Sequence, residues 1–228
     1  MAFAEWDECR TIIIMPAGCA CCSTNVPCGH VTSPDIPDFA LSAVLGIGLA
    51  AATGFRVFLP MLVMSAAAYS GRLPLDSGFA WLATPSALTM LAVAAVAEIL
   101  AYYVPGVDNL LDALATPAAF VAGTVVSAAV ITDLPPMVKW TAAVIAGGGV
   151  AGITQGVTAM LRAKSTIFTG GLGNPVIATA ELAGALLISL LTLAAPLAAL
   201  ALVILFLWLA IRLLLRLLRG AQPSNAGK

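Results

Sequence analysis

Charge is what this chain has least of. Only 9% of its 228 residues are Asp, Glu, Lys or Arg, against about a quarter in an ordinary soluble domain. With a net charge of −1 and no basic, aromatic-interleaved patch, the sequence offers no nucleic-acid surface. Histidine is absent after His30 and cysteine after Cys28. Everything beyond the N-terminus therefore lacks the commonest zinc ligands and any nucleophile–base motif. The chain is not read as an enzyme, since catalysis would have to rest on carboxylates alone, and no metal or cofactor is expected. What is present instead is apolar: 61% of residues are hydrophobic, in several runs that reach the ~20 residues a helix needs to cross a ~30 Å hydrocarbon core. The expected fold is all-α, a polytopic membrane helix bundle.

All five cysteines and the single histidine crowd into the first 38 residues. Their order, Cys19-x-Cys21-Cys22-x5-Cys28-x-His30, lacks the paired spacing of zinc sites, so residues 1–38 read as a disordered tail or an over-extended start. Pro16-Ala17-Gly18-Cys19 ends like a lipobox, but Thr11–Met15 is too short for its apolar region, and Glu5, Asp7 and Glu8 spoil a basic start. Pro34, Asp35, Pro37 and Asp38 separate this tail from a transmembrane domain over 39–219, and 220–228 form a second, cytoplasmic tail.

Six spans are expected. The first, about 40–70, would be ~46 Å long at 1.5 Å per residue, so it must tilt, protrude or break. The break is placed at Thr53-Gly54-Phe55-Arg56, ahead of Pro60. A polar connection, Gly71–Thr84, leads to Thr84-Pro85, a cap-plus-proline helix start that opens span two, about 85–104. Asp108 and Asp112 then read as a solvated interfacial turn rather than a carboxylate pair at a cavity mouth, and Thr116-Pro117 opens span three. Span four, about 140–161, carries Gly147-Gly148-Gly149, which lacks the Walker lysine and a preceding strand and so means close packing or local unwinding. Arg162 and Lys164 mark the next loop. After a Gly-rich break, Asn174 as N-cap and Pro175 as first helical residue open span five, to about 192, and span six runs from about 196 to 218. Lys and Arg concentrate in the segments that an even span count puts with the termini, so both termini are expected in the cytoplasm.

Three charges fall inside apolar spans: Arg56, Glu98 and Glu181. A charge at bilayer depth costs at least ~2.5 kcal/mol and normally faces a partner or a wet cavity; Arg56 could instead snorkel, and so could Glu98. Gly46–Thr53 also reads like Gly147–Thr154, and the surroundings of Glu98 like those of Glu181, which hints at two inverted three-helix repeats. Arg56, Glu98 and Glu181, with Thr53, Thr154 and Asn174 beside them, are the candidate solute-binding residues. Arg56 and Glu181 are expected to share one polar site, toward which the Asn174-Pro175 helix start would point its positive end.

The segments GLAAATGFRVFLPML, AEILAYYVPGVDNLLDAL and STIFTGGLGNPVIATAE resemble a family of bacterial integral membrane proteins, domain-of-unknown-function family 4126. The resemblance covers about 40–195 and leaves out the Cys-rich tail. It implies a bacterial inner-membrane address and nothing catalytic. Two function classes stay open: a transporter or channel for a small solute or ion, with the lipid bilayer and a homo-oligomer as its surroundings, and a scaffold or accessory subunit whose buried charges are structural.

Overall fold

A computed structural model of the chain describes residues 36–104, 107–132 and 134–220. The Cys-rich segment from 1 to 35 and the tail from 221 to 228, with the expectations placed on them, lie outside the described residues. Among the described residues the secondary structure is entirely helical. In chain order the helices are α1 (Ile36–Thr53), α2 (Phe58–Tyr69), a 3-10 helix (Ser77–Ala83), α3 (Pro85–Ala101), α4 (Val107–Val130), α5 (Pro136–Ala142), a π-helical segment (Ala143–Gly148), α6 (Gly149–Thr169), α7 (Asn174–Ala194) and α8 (Pro196–Gly220).

Three helical stretches are long and apolar enough to cross a membrane: Leu110–Val130, the continuous Pro136–Thr169, and Asn174–Ala194. The 3-10 helix and α3, bent by 69° at Thr84, bring the number to four if the bent pair is one span. Ala40–Thr53, Phe58–Tyr69 and Pro196–Leu209 are shorter apolar helices.

The long first apolar run does break where Gly54 and Pro60 direct it, between Thr53 and Phe58. Gly54 is there because of contact: a Cβ on it would come within 2.5 Å of both the Ala151 carbonyl oxygen and Thr154 Cβ on α6. Pro60 falls in the first turn of α2, where its missing N–H would have no helical acceptor. Thr84 caps α3 by accepting from Ala87 N–H at 3.3 Å, with Pro85 behind it.

Elsewhere the boundaries move. Pro37 and Asp38 lie in the first turn of α1 rather than in a separating linker. The Gly71–Thr84 connection is not merely polar: it holds the 3-10 helix, which plants Leu82 at 0% exposure in a core of Leu49, Met64, Val126 and Ala129. Asp76 starts that helix, accepting from Gly78 N–H and pairing with Lys139 Nζ at 2.9 Å. The hydrogen bond from Lys139, then that from Gly78, hold its carboxyl below the usual range. Thr116-Pro117 does not open a helix: Pro117 lies inside α4, which starts at Val107. Gly173, not Asn174, is the N-cap of α7, so Asn174 is its first residue and Pro175 its second. Finally, α6 continues to Thr169 and stops at Gly170, whose φ of +62° is the left-handed conformation that favours glycine. Arg162 and Lys164 are therefore helical, not in a loop.

α1 sits at the centre, against α4, α7 and α8. Small residues make that possible. Ser127 on α4 donates to the Gly46 carbonyl at 3.0 Å, and the Gly147 position of the π segment packs against the same serine. Phe55, at the break, closes a second apolar cluster with Ala185, Ile188 and Val203 and meets the Phe206 ring at 5.0 Å.

Candidate functional site: a buried ionic cluster at the helix break

The break between α1 and α2 turns the Arg56 side chain inward, where it is 1% exposed. Arg56 Nη2 donates to the Ala178 carbonyl at 3.0 Å and stands 3.9 Å from Glu181 Oε2, both on α7. The expected meeting of Arg56 and Glu181 therefore holds, and Arg56 does not snorkel.

The cluster is larger than the pair. Arg162, also 1% exposed, projects from α6 and ion-pairs through Nη1 with Asp112 on α4 and through Nη2 with Glu181. Both guanidinium carbons lie over the ring of Tyr102, at 3.8 Å for Arg56 and 4.2 Å for Arg162. An aromatic ring attracts cations through its quadrupole, by ~2 kcal/mol or more when the cation is desolvated. With Glu181, which faces both guanidiniums, it offsets the repulsion of two cations buried near each other. Asp112, expected in a solvated turn, is 9% exposed because Arg162 draws it in; the side chain of Asp108 lies outside the described residues.

Glu98 has a different task. Its Oε1 accepts from Val57 N–H at 2.8 Å and its Oε2 from Phe58 N–H at 3.0 Å. Those are donors that the start of α2 leaves without helical acceptors. The positive helix end at this site is thus that of α2. The start of α7 lies elsewhere: Asn174 precedes Glu181 by two turns, ~10 Å along the axis, and its Nδ2 donates to Thr166 Oγ1 at 3.0 Å. The hydroxyl of Thr53 donates to its own helix at Ala50 O, 2.7 Å away. Thr154 is fully buried against Gly54.

Several buried polar atoms in this region have no hydrogen-bond partner among the described residues: Arg56 Nε and Nη1, Thr154 Oγ1, Gln155 Nε2 and Glu181 Oε1. Buried polar groups left so are rare and call for a bound water, ion or solute. Chemically, the cluster can hold a charged or hydrogen-bonding guest.

A family model, described as a domain of unknown function (DUF4126), matches residues 43–216. The chain belongs to this family. The DUF4126 segment takes in Arg56, Glu98, Tyr102, Asp112, Arg162 and Glu181, hence every member of the cluster, together with all the candidate membrane-crossing helices. Neither the curated proteins nor the solved structures give a match to the chain.

Proposed function

We propose that the chain is a multi-pass transporter or channel for a small solute or ion in the bacterial inner membrane. The observation that carries the proposal is the break at Gly54–Val57. It sets Arg56 among Arg162, Glu181 and Tyr102 while buried donors and acceptors beside it have no hydrogen-bond partner among the described residues. A protein that needed these charges only for folding would be expected to satisfy them. Broken helices with charged groups and free helix ends near mid-span are how many membrane transporters build their sites. The reading needs no cofactor, nucleic acid or catalytic group. Its surroundings are the lipid bilayer and, where it self-associates, further copies of the chain.

Six spans follow if α1 with α2, the 3-10 helix with α3, α4, α5 with α6, α7 and α8 each make one crossing. Even without Arg162, Lys164 and Arg212 mark one side against Arg72 and Lys139 on the other, so both termini are placed in the cytoplasm. Reporter fusions after Lys228 and in the 71–76 segment should fall on opposite sides of the membrane; a periplasmic signal after Lys228 would reject the arrangement. The inverted repeat has one support in the packing: Gly46 and Gly147, equivalent in the sequence match, both close on Ser127.

The competing reading, a scaffold with structural charges, is favoured by the double pairing of Arg162. Flux decides. Proteoliposomes holding the whole chain should show charge movement or dye-reported uptake under at least one imposed gradient of H+, Na+, K+, Cl− or a small organic ion. Arg56→Ala should lower that signal about tenfold or more, since a charge lining the path is removed. Silence under every gradient, or an unaltered signal in Arg56→Ala, would hand the cluster to the scaffold reading.

A further inference from the structure

Beside the ionic cluster lies a pocket of ≈420 Å³ between the start of α2, the face of α3 and the first half of α4. That volume falls in the range of small-molecule sites. Its space comes from sequence: the α3 wall offers Ala94, Ala97 and Ala101, and on the α4 side Ala115 and Ala118 accompany Leu111 and Leu114. Among the described residues Glu98 is the only charged one in the lining. Arg56 stands behind the Tyr102 ring, 3.8 Å from its centroid, and does not line the pocket.

The charges beside it are unevenly matched. Arg56 and Arg162 already have Glu181 and Asp112 as partners. Among the described residues Glu98 forms no ion pair. It has two backbone N–H groups of α2, and a helix N-terminus supplies only about half a positive charge. Each Glu98 oxygen accepts one such bond, and a carboxylate oxygen can accept two. Negative charge and acceptor capacity are therefore left over in the lining of an otherwise apolar pocket.

We infer that this pocket binds a lipophilic monovalent cation, its apolar body against the alanine and leucine walls and its charged centre at Glu98. This deepens the transport reading by naming a substrate class and rests on that reading only for movement, not for binding. An aminolipid headgroup and a free amphipathic amine share the chemistry, and an alkyl chain alone would fill the space without needing Glu98.

Binding of radiolabelled tetraphenylphosphonium tests it, using the full chain in phosphatidylglycerol nanodiscs with protein-free discs subtracted. One saturable site is expected. Glu98→Gln should weaken it about tenfold or more, as loss of a desolvated charge partner does. Ala97→Leu, at an exposed lining position, should weaken it comparably by occupying the space while leaving the charge in place. Tetraphenylborate, of the same shape and opposite charge, should not bind. Where Glu98→Gln fails to fold because α2 loses its anionic cap, Ala97→Leu decides. Absence of saturable binding, equal binding of tetraphenylborate, or binding untouched by either substitution overturns the inference. Adding phosphatidylethanolamine assigns the source: competition points to an aminolipid, unchanged affinity to a free amine. Binding and flux are separate readouts, so either reading can fail alone.

Discussion

Replacing Arg162 by Met should cost about 3–5 kcal/mol of folding stability, the cost of breaking a buried ion pair from one side. Arg162 serves two carboxylates on two helices, Asp112 of α4 and Glu181 of α7. Without it Asp112 loses its guanidinium and Glu181 keeps only Arg56 nearby, 3.9 Å away. Arg162→Lys should recover little, because an ammonium cannot reproduce the planar fork that reaches both acceptors. Arg56→Met should cost less than Arg162→Met, since Glu181 keeps its Arg162 partner and what goes is one hydrogen bond, to the Ala178 carbonyl, and the contact with the Tyr102 ring. Adding Asp112→Asn and Glu181→Gln to Arg162→Met should return much of the stability, as the two carboxylates that faced the guanidinium then carry no charge. Denaturant-induced unfolding of purified protein in detergent reads all of these. A loss below about 1 kcal/mol for Arg162→Met, the range of exposed ion pairs, would mean that Arg162 is solvated and the cluster does not hold together as described.

Arg162 marks the limit of what the sequence says about the cluster. Arg162 and Lys164 follow an apolar run and read as a loop, because a charge past a span of ordinary length is normally at the interface. Yet Gln155, Thr158 and Arg162 recur at helical spacing and are all buried. That polar stripe was visible in the sequence and marked a helix continuing through Arg162. Asp112 was hidden by the same logic, and by Thr116-Pro117, which imitates Thr84-Pro85. One is a helix start and the other lies within α4. What separates them is tertiary: Asp112 finds Arg162, so the segment before Pro117 can pack as helix. Tyr102 carried no signal, since an aromatic at a helix end usually means an interface anchor. The features that were legible, the break at Gly54 and the pairing of Arg56 with Glu181, depend on local backbone chemistry and on opposite charges needing each other.

The triple glycine should respond to alanine with opposite signs at neighbouring positions. A Cβ at Gly147 would come 2.6 Å from the Gly123 carbonyl oxygen and 2.6 Å from Ser127 Cβ, and also against Ser127 Oγ. A carbonyl on a packed helix cannot swing aside, so α4 and the π segment would have to separate. Ser127 would then be pulled from its 3.0 Å bond to the Gly46 carbonyl of α1. Overpacking of this kind costs about 1–3 kcal/mol, and Gly147→Ala should lie at the upper end because three elements meet there. At Gly149, two residues on, a Cβ meets nothing within 4 Å, and the same is true of Gly156. Both are inside α6, where alanine in place of glycine is worth up to about 1 kcal/mol through lower chain entropy. Gly149→Ala and Gly156→Ala should therefore be neutral to stabilising in the same unfolding assay in which Gly147→Ala fails. If all three behave alike, the glycines serve flexibility of the π segment rather than its contact with α4.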